Sequence, residues 1–244
     1  MLKTIFLNPF YNALVLLVNY MPAQDVGLAI ITLTVLVKVL IFPIYRQSIQ
    51  TNLKLKELGP EIEILKKKYT EDKVVQSQKI MELYRQNQIN PLSGFLVILI
   101  QIPIFITLFY VFQSNLETNL SSLYSFIPFP SHPNSQFLGL FDLNGLRNYL
   151  FAILTALTQF IQTKLTLPTP TGPKKALGEG TFAEDLSRSM GLQMTYVMPV
   201  FIGFIALTLP AAVSLYWITS NTMHIVMELL WRRKTKTVEI SQSK

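Results

Sequence analysis

The chain has 244 residues, 50% of them hydrophobic, with a formal net charge of +7, a mean hydropathy of +0.37 and no cysteine. Such a composition points to a polytopic membrane protein rather than a soluble domain, and it excludes disulfides, iron–sulfur clusters and Cys-ligated zinc. The basic residues border apolar segments, so membrane topology explains them better than nucleic-acid binding, and no H-E-x-x-H, G-x-S-x-G or phosphate-loop pattern occurs.

Residues 1–24 carry one base, Lys3, and no small-residue cleavage site, which argues against a cleaved signal peptide or an Arg-rich transit peptide. Asn8, Asn12 and Asn19 fall on one helical face; Phe6, Phe10, Leu14, Leu17 and Met21 fall on the other. Pro9 suits a first helical turn and Pro22 closes the segment. About a dozen residues between the prolines is short for a span. The segment reads as an amphipathic helix in the membrane interface, with a sixth span as the competing reading.

The first span is 25–48. It holds about twenty residues between Asp25 and Arg46, enough to cross ~30 Å of hydrocarbon, and Lys38 is the only charge inside it. A central lysine costs roughly 2.5–3.5 kcal/mol on insertion scales. Thr34, one turn earlier, shares its face. Lys38 either snorkels to the nearer interface or lines a wet cavity.

Residues 49–90 follow as a charged block in which Gly59-Pro60 and Thr70-Glu71-Asp72 punctuate two short amphipathic helices. They read as a helical hairpin, most of its charges belonging to a solvated face. The second span, 91–113, contains Gln101 and Pro103; an amide there more often joins helices than binds a ligand. A polar loop, 114–146, leads to the third span, 147–166, with Gln159 and Gln162 near its end. Pro168, Pro170, Gly172 and Pro173 open a second loop, 167–192. No charge then occurs from Ser189 to Met227, a stretch of ~58 Å as one helix. It must fold back at Leu209-Pro210, giving spans 193–209 and 211–231 before a basic tail, 232–244.

Charge orients the whole. The hairpin block (counted from Arg46), the stretch 164–188 and the tail hold nine, four and five of the 21 Lys and Arg residues. The positive-inside rule makes that face cytoplasmic, the N-terminus outside and the C-terminus inside. The expected fold is all-α: five transmembrane helices around a polar groove, with an N-terminal interfacial helix and a cytoplasmic hairpin.

Six stretches in this order are similar to the YidC/Oxa/Alb family of membrane protein insertases, and they cover nearly the whole chain. They are Gly27 to Lys38 with Pro43; Leu83-Tyr84 with Asn90-Pro91-Leu92; Leu99 to Phe105; Phe160-Ile161-Gln162; Met198-Pro199-Val200; and Leu209 to Asn221. The family usually has arginine where this chain has Lys38, so the charge is kept but the planar fork is lost. The resemblance implies a bacterial inner-membrane protein whose groove opens to the cytoplasm and to lipid but not outward. Thr34, Lys38, Gln101 and Gln162 would line that groove, with Tyr216 and Trp217 near the substrate path; without the resemblance the two aromatics read as packing or interfacial anchors. Nascent membrane proteins would be the clients and the bilayer their destination. The Sec translocon, the ribosome and the signal-recognition machinery are partners implied only by the family, with no other nucleic-acid contact, no cofactor and no metal.

A secondary transporter or channel is the alternative. Against it, Asp25, Glu117, Asp142 and Glu228 all fall at span edges, leaving no carboxylate relay of the kind transporters use. A membrane-embedded enzyme would need a nucleophile–base pair or a metal cluster, and the sequence displays neither.

Overall fold

The computed structural model describes residues 7–90, 101–107, 109–111, 116–166, 189 and 191–242. Lys3, residues 91–100 of the expected second span and nearly all of the 167–192 loop lie outside them. The described chain is mostly helical, with one small β-hairpin.

Helix α1 (Asn8–Tyr20) starts on Pro9, whose missing N–H costs nothing in a first turn. Asn12 and Asn19 of its asparagine row bind protein. Asn12 Nδ2 donates to the Ser122 carbonyl (2.7 Å) while its Oδ1 accepts from the Tyr124 N–H (2.7 Å), and Asn19 Nδ2 donates to the Pro128 carbonyl (2.8 Å). These bonds tie α1 to the loop that follows the second span. Tyr11, Leu14, Val15 and Val18, spaced as one helical stripe, are fully buried in the core that α1 shares with the next helix.

Helix α2 (Val26–Leu40) is capped by Asp25, whose carboxylate accepts from the N–H groups of Gly27 (2.7 Å) and Leu28 (3.1 Å). The other carboxylate oxygen takes the Leu138 N–H (2.8 Å), and the Val26 N–H donates to the Asn134 carbonyl (3.0 Å). The N-terminal end of α2 is thereby clamped to a hairpin of β1 (Gln136–Phe137) and β2 (Phe141–Asp142). Gly27 is required there: a Cβ would stand 2.3 Å from the Phe137 ring.

The stretch read as one span, 25–48, is two helices. α2 stops at Ile41, and α3 (Phe42–Glu57) leaves at 64°. Pro43 in the first turn of α3 lacks the N–H that would continue the α2 ladder, and it disfavours helical backbone before it. Helices α4 (Gly59–Lys68) and α5 (Lys73–Gln86) pack on each other. Asp72 caps α5 by accepting from Val74 and Val75, and Gln76 Nε2 donates back to the Lys66 carbonyl (2.7 Å) to close the turn.

Helix α6 (Gln101–Val111), α7 (Tyr149–Thr166), α8 (Met198–Thr208) and α9 (Ala211–Gln242) complete the bundle, α8 and α9 meeting at Leu209-Pro210. α9 packs on α7 and α2, and α7 on α8. Gly203 lets α8 and α7 approach closely, since a Cβ would lie 3.0 Å from Ala156 Cβ. The basic tail continues α9 without a break, so that helix has 32 residues, about 48 Å.

Among the described residues no single helix is long and apolar enough to cross a membrane; α2 and α3 reach that composition only together, as a broken pair. The distribution of polarity supplies the reason. Ser214, Tyr216, Ser220, Asn221, His224 and Glu228 lower the hydropathy of α9, yet all are buried against neighbouring helices. Exposed instead are Leu36, Val39 and Leu40 of α2, Ile153 and Leu157 of α7, Phe201 and Phe204 of α8, and Leu229 and Leu230 of α9. Polar groups inside and bulky apolar groups outside is the arrangement that lipid, not water, stabilises.

Candidate functional site

The last turn of α2 aims Lys38 into the bundle, where it is 4% exposed. Its Nζ donates to Tyr45 Oη (2.7 Å) and to Gln101 Oε1 (3.1 Å). Tyr45 Oη in turn donates to Gln101 Oε1 (3.3 Å), and Gln101 Nε2 donates to Tyr216 Oη. Four helices, α2, α3, α6 and α9, thus supply one connected polar cluster. Among the described residues no carboxylate forms an ion pair with Lys38. A buried ammonium held by neutral acceptors alone is costly, and the deficit is reduced by any carboxylate brought to it.

A small recess with room for about one water, partly open to the outside, lies beside this cluster. Leu33, Thr34, Val37, Lys38, Ile41, Gln101, Ile104 and Tyr216 line it, so its wall is apolar except for one cationic corner. The Thr34 hydroxyl donates to the Ile30 carbonyl (2.7 Å) and presents only its remaining acceptor capacity. The structure therefore brings together Thr34, Lys38, Gln101 and Tyr216. Trp217 points to the neighbouring face, its ring stacked 5.1 Å from Phe105. Gln162, half-buried on α7, is not part of the cavity wall.

Next to this cluster runs a second set of polar groups, of which His224 and Glu228 are buried. His224 stands edge-on to the Tyr45 ring, 4.8 Å between centroids, and its Nε2 is 3.3 Å from Thr166 Oγ1. The Thr166 hydroxyl donates to Glu228 Oε2 (3.0 Å), and Arg232 Nε donates to Glu228 Oε1 (3.1 Å). Arg232 Nη2 and Lys56 Nζ both donate to the Leu165 carbonyl (2.6 and 3.1 Å), joining α9 and α3 to the end of α7. Burial, and then the nearby Arg232 guanidinium, push the Lys56 ammonium below its ordinary pKa. The spacing of His224, Glu228 and Arg232, every fourth residue on α9, was the available signal. Tyr45 gave a fainter one, seven residues from Lys38 but across the helix break.

A helical bundle with its polar side chains turned inward around a buried cation, and an apolar exterior, defines a helical membrane protein. The chain belongs to the family described as 60Kd inner membrane protein, whose profile matches residues 17–238. Curated relatives bear the name membrane protein insertase YidC. The Oceanobacillus iheyensis protein is 33% identical over 85% of this chain and 74% of its own length. The proteins of a Marinomonas species and of Bradyrhizobium diazoefficiens are 34% and 32% identical over 83% and 88% of this chain. The matched stretches are only 31% and 34% of those longer proteins.

Proposed function

We propose that this chain is a membrane protein insertase that accepts a nascent membrane protein from the cytoplasm in the cavity beside Lys38 and releases its apolar span sideways into lipid. The observation that carries the reading is the buried ammonium, held by neutral acceptors at the edge of a cavity that is otherwise apolar. The name shared by the relatives supports an insertase function. A polar client segment is opposed by desolvation in hydrocarbon. A recess with a positive corner shortens its dry path and attracts acidic residues, while partition of the apolar span into lipid, roughly 25 cal/mol per Å² of apolar surface, drives the step forward. That scheme uses no nucleotide, cofactor or covalent chemistry.

In this reading five spans surround the groove, the first being 25–48 with its break at Ile41, with the N-terminus outside and the basic face inside. Thr34, Lys38, Gln101 and Tyr216 meet the client; Gln162 and Trp217 belong to its path further along. The α4–α5 hairpin recruits clients. The basic cytoplasmic face suits contact with the ribosome, and the signal-recognition machinery and the Sec translocon belong to the same proposal. A photocrosslinking residue at Val37, which lines the cavity, is expected to capture the apolar span of a stalled nascent membrane protein. No capture, together with solute uptake by vesicles carrying the purified protein, would establish a transporter instead.

A further inference from the structure

We propose that Tyr45 is the positioning residue that fixes the Lys38 ammonium at the cavity, and that this contact makes a lysine here discriminate in favour of acidic client segments; the inference rests on the insertase reading above. A lysine is a point charge on a flexible four-carbon stem, and at ~10 Å from the cytoplasmic end of its span it can extend to water. In this chain it does not. The break at Ile41 turns α3 through 64°, and the Tyr45 hydroxyl meets Nζ at 2.7 Å. The ammonium also lies 4.7 Å from the Tyr45 ring centroid, so ring and hydroxyl both hold it. Gln101 is the second acceptor, and its own amide is oriented by Tyr216.

Tyr45 is itself held from the cytoplasmic side. The His224 ring packs edge-on against it at 76°, and Thr166, Glu228 and Arg232 continue the column to the Leu165 carbonyl. Tyr45 is 4% exposed. An ammonium has three N–H donors, and Tyr45 and Gln101 take two. The third has no partner among the described residues and is left for a client carboxylate or carbonyl. A guanidinium, with five donors in a rigid fork, would need less help to stay aimed, which is why the hydroxyl matters specifically beside a lysine.

The experiment uses the full chain in lipid vesicles and two clients that differ only in whether the translocated segment is acidic or neutral. Insertion is normalised to the amount of variant in the membrane. Tyr45→Phe keeps the ring and removes the acceptor; it is expected to lower the acidic-to-neutral insertion ratio about tenfold, the worth of one hydrogen bond to a charged group. Tyr45→Gln, which keeps an acceptor but loses the ring, is expected to retain more of that ratio. Adding Lys38→Arg to Tyr45→Phe is expected to restore it. An unchanged ratio in Tyr45→Phe, or an equal loss for both clients that Lys38→Arg does not rescue, would overturn the positioning role while leaving the insertase reading in place. Failure of the wild-type chain to insert either client would overturn the insertase reading itself, and the role of Tyr45 with it.

Discussion

Two buried charged groups in this protein are treated differently by their surroundings. Among the described residues Lys38 has only neutral partners, whereas Glu228 is engaged by Arg232 and Thr166. The first arrangement leaves electrostatic demand, which in the proposed insertase reading a client satisfies; the second is saturated. For Lys38 the expected order of acidic-client insertion is wild type and Lys38→Arg first, then Lys38→Ala and Lys38→Leu, with Lys38→Glu at least about tenfold down through like-charge repulsion. A snorkelling lysine predicts instead that Lys38→Leu inserts the acidic client as well as wild type does. For the ion pair the asymmetry lies in solvent access, since the Arg232 side chain is 28% exposed and that of Glu228 only 3%. Arg232→Leu strands a buried carboxylate and should destabilise the bundle by about 3–5 kcal/mol. Glu228→Gln leaves an arginine that can reach water, and its cost should be smaller. Denaturation of the purified variants in detergent measures both, and equal losses would contradict the assignment.

Among the elements, the break between α2 and α3 has the widest consequences, because it carries Tyr45 onto Lys38 and sends the charged half of the segment away from the bundle axis. The opposite end of α2 is fixed by Asp25, Asn134 and the small β-hairpin, with the Phe137 ring lying over Gly27. Gly27→Leu forces that ring aside. It should lower stability by about 1–3 kcal/mol, as overpacking does, and should loosen the N-terminal end of α2 where Val26 and Asn134 are bonded. A thermal scan and amide exchange at Val26 check the two effects, and unchanged exchange would contradict the clamp. The α4–α5 hairpin, by contrast, packs chiefly on itself. Removing residues 59–86 should leave the remaining helices able to assemble in membranes while client recruitment falls. Loss of assembly would instead make the hairpin part of the scaffold.

At the scale of the whole molecule the bundle is inside-out, with an apolar exterior and a polar seam along α9 from Ser214 to Glu228. Such a molecule is stable only where its exterior meets lipid, and its orientation then follows from where the lysines and arginines lie. The native chain has no cysteine, so labelling has no background. A cysteine at Ser131, in the exposed loop before the β-hairpin, should react with an impermeant thiol reagent from outside the cell, and one at Lys79 on α5 should react only after lysis. The reverse pattern would overturn the orientation and the cytoplasmic access to the cavity together.

Charge, hydropathy and proline positions are local properties, and what depends on them was legible in the chain itself. Lys38 stands out because it is the only charge in its segment, and Leu209-Pro210 because a 39-residue uncharged stretch cannot remain one span. Thr34 follows from helical spacing, and Gln101 and Tyr216 from the motifs that resemble the insertase family; the cavity gathers all three around the lysine. Contacts between distant segments are not local, and only the folded chain decided them. Nothing in the α1 asparagine row distinguishes a lipid headgroup from the carbonyls of Ser122 and Pro128 more than a hundred residues on. Pro43 announces a possible break, but the angle that brings Tyr45 to Lys38 is set by how α3 and α9 pack. His224, Glu228 and Arg232 read as an ordinary polar edge until Thr166, Leu165 and Lys56 arrive from two other helices. The sequence by itself determined which groups must leave water and which segments carry the charges; tertiary packing alone determined which of those groups meet, because hydrogen-bond partners are chosen by distances that no single helix contains.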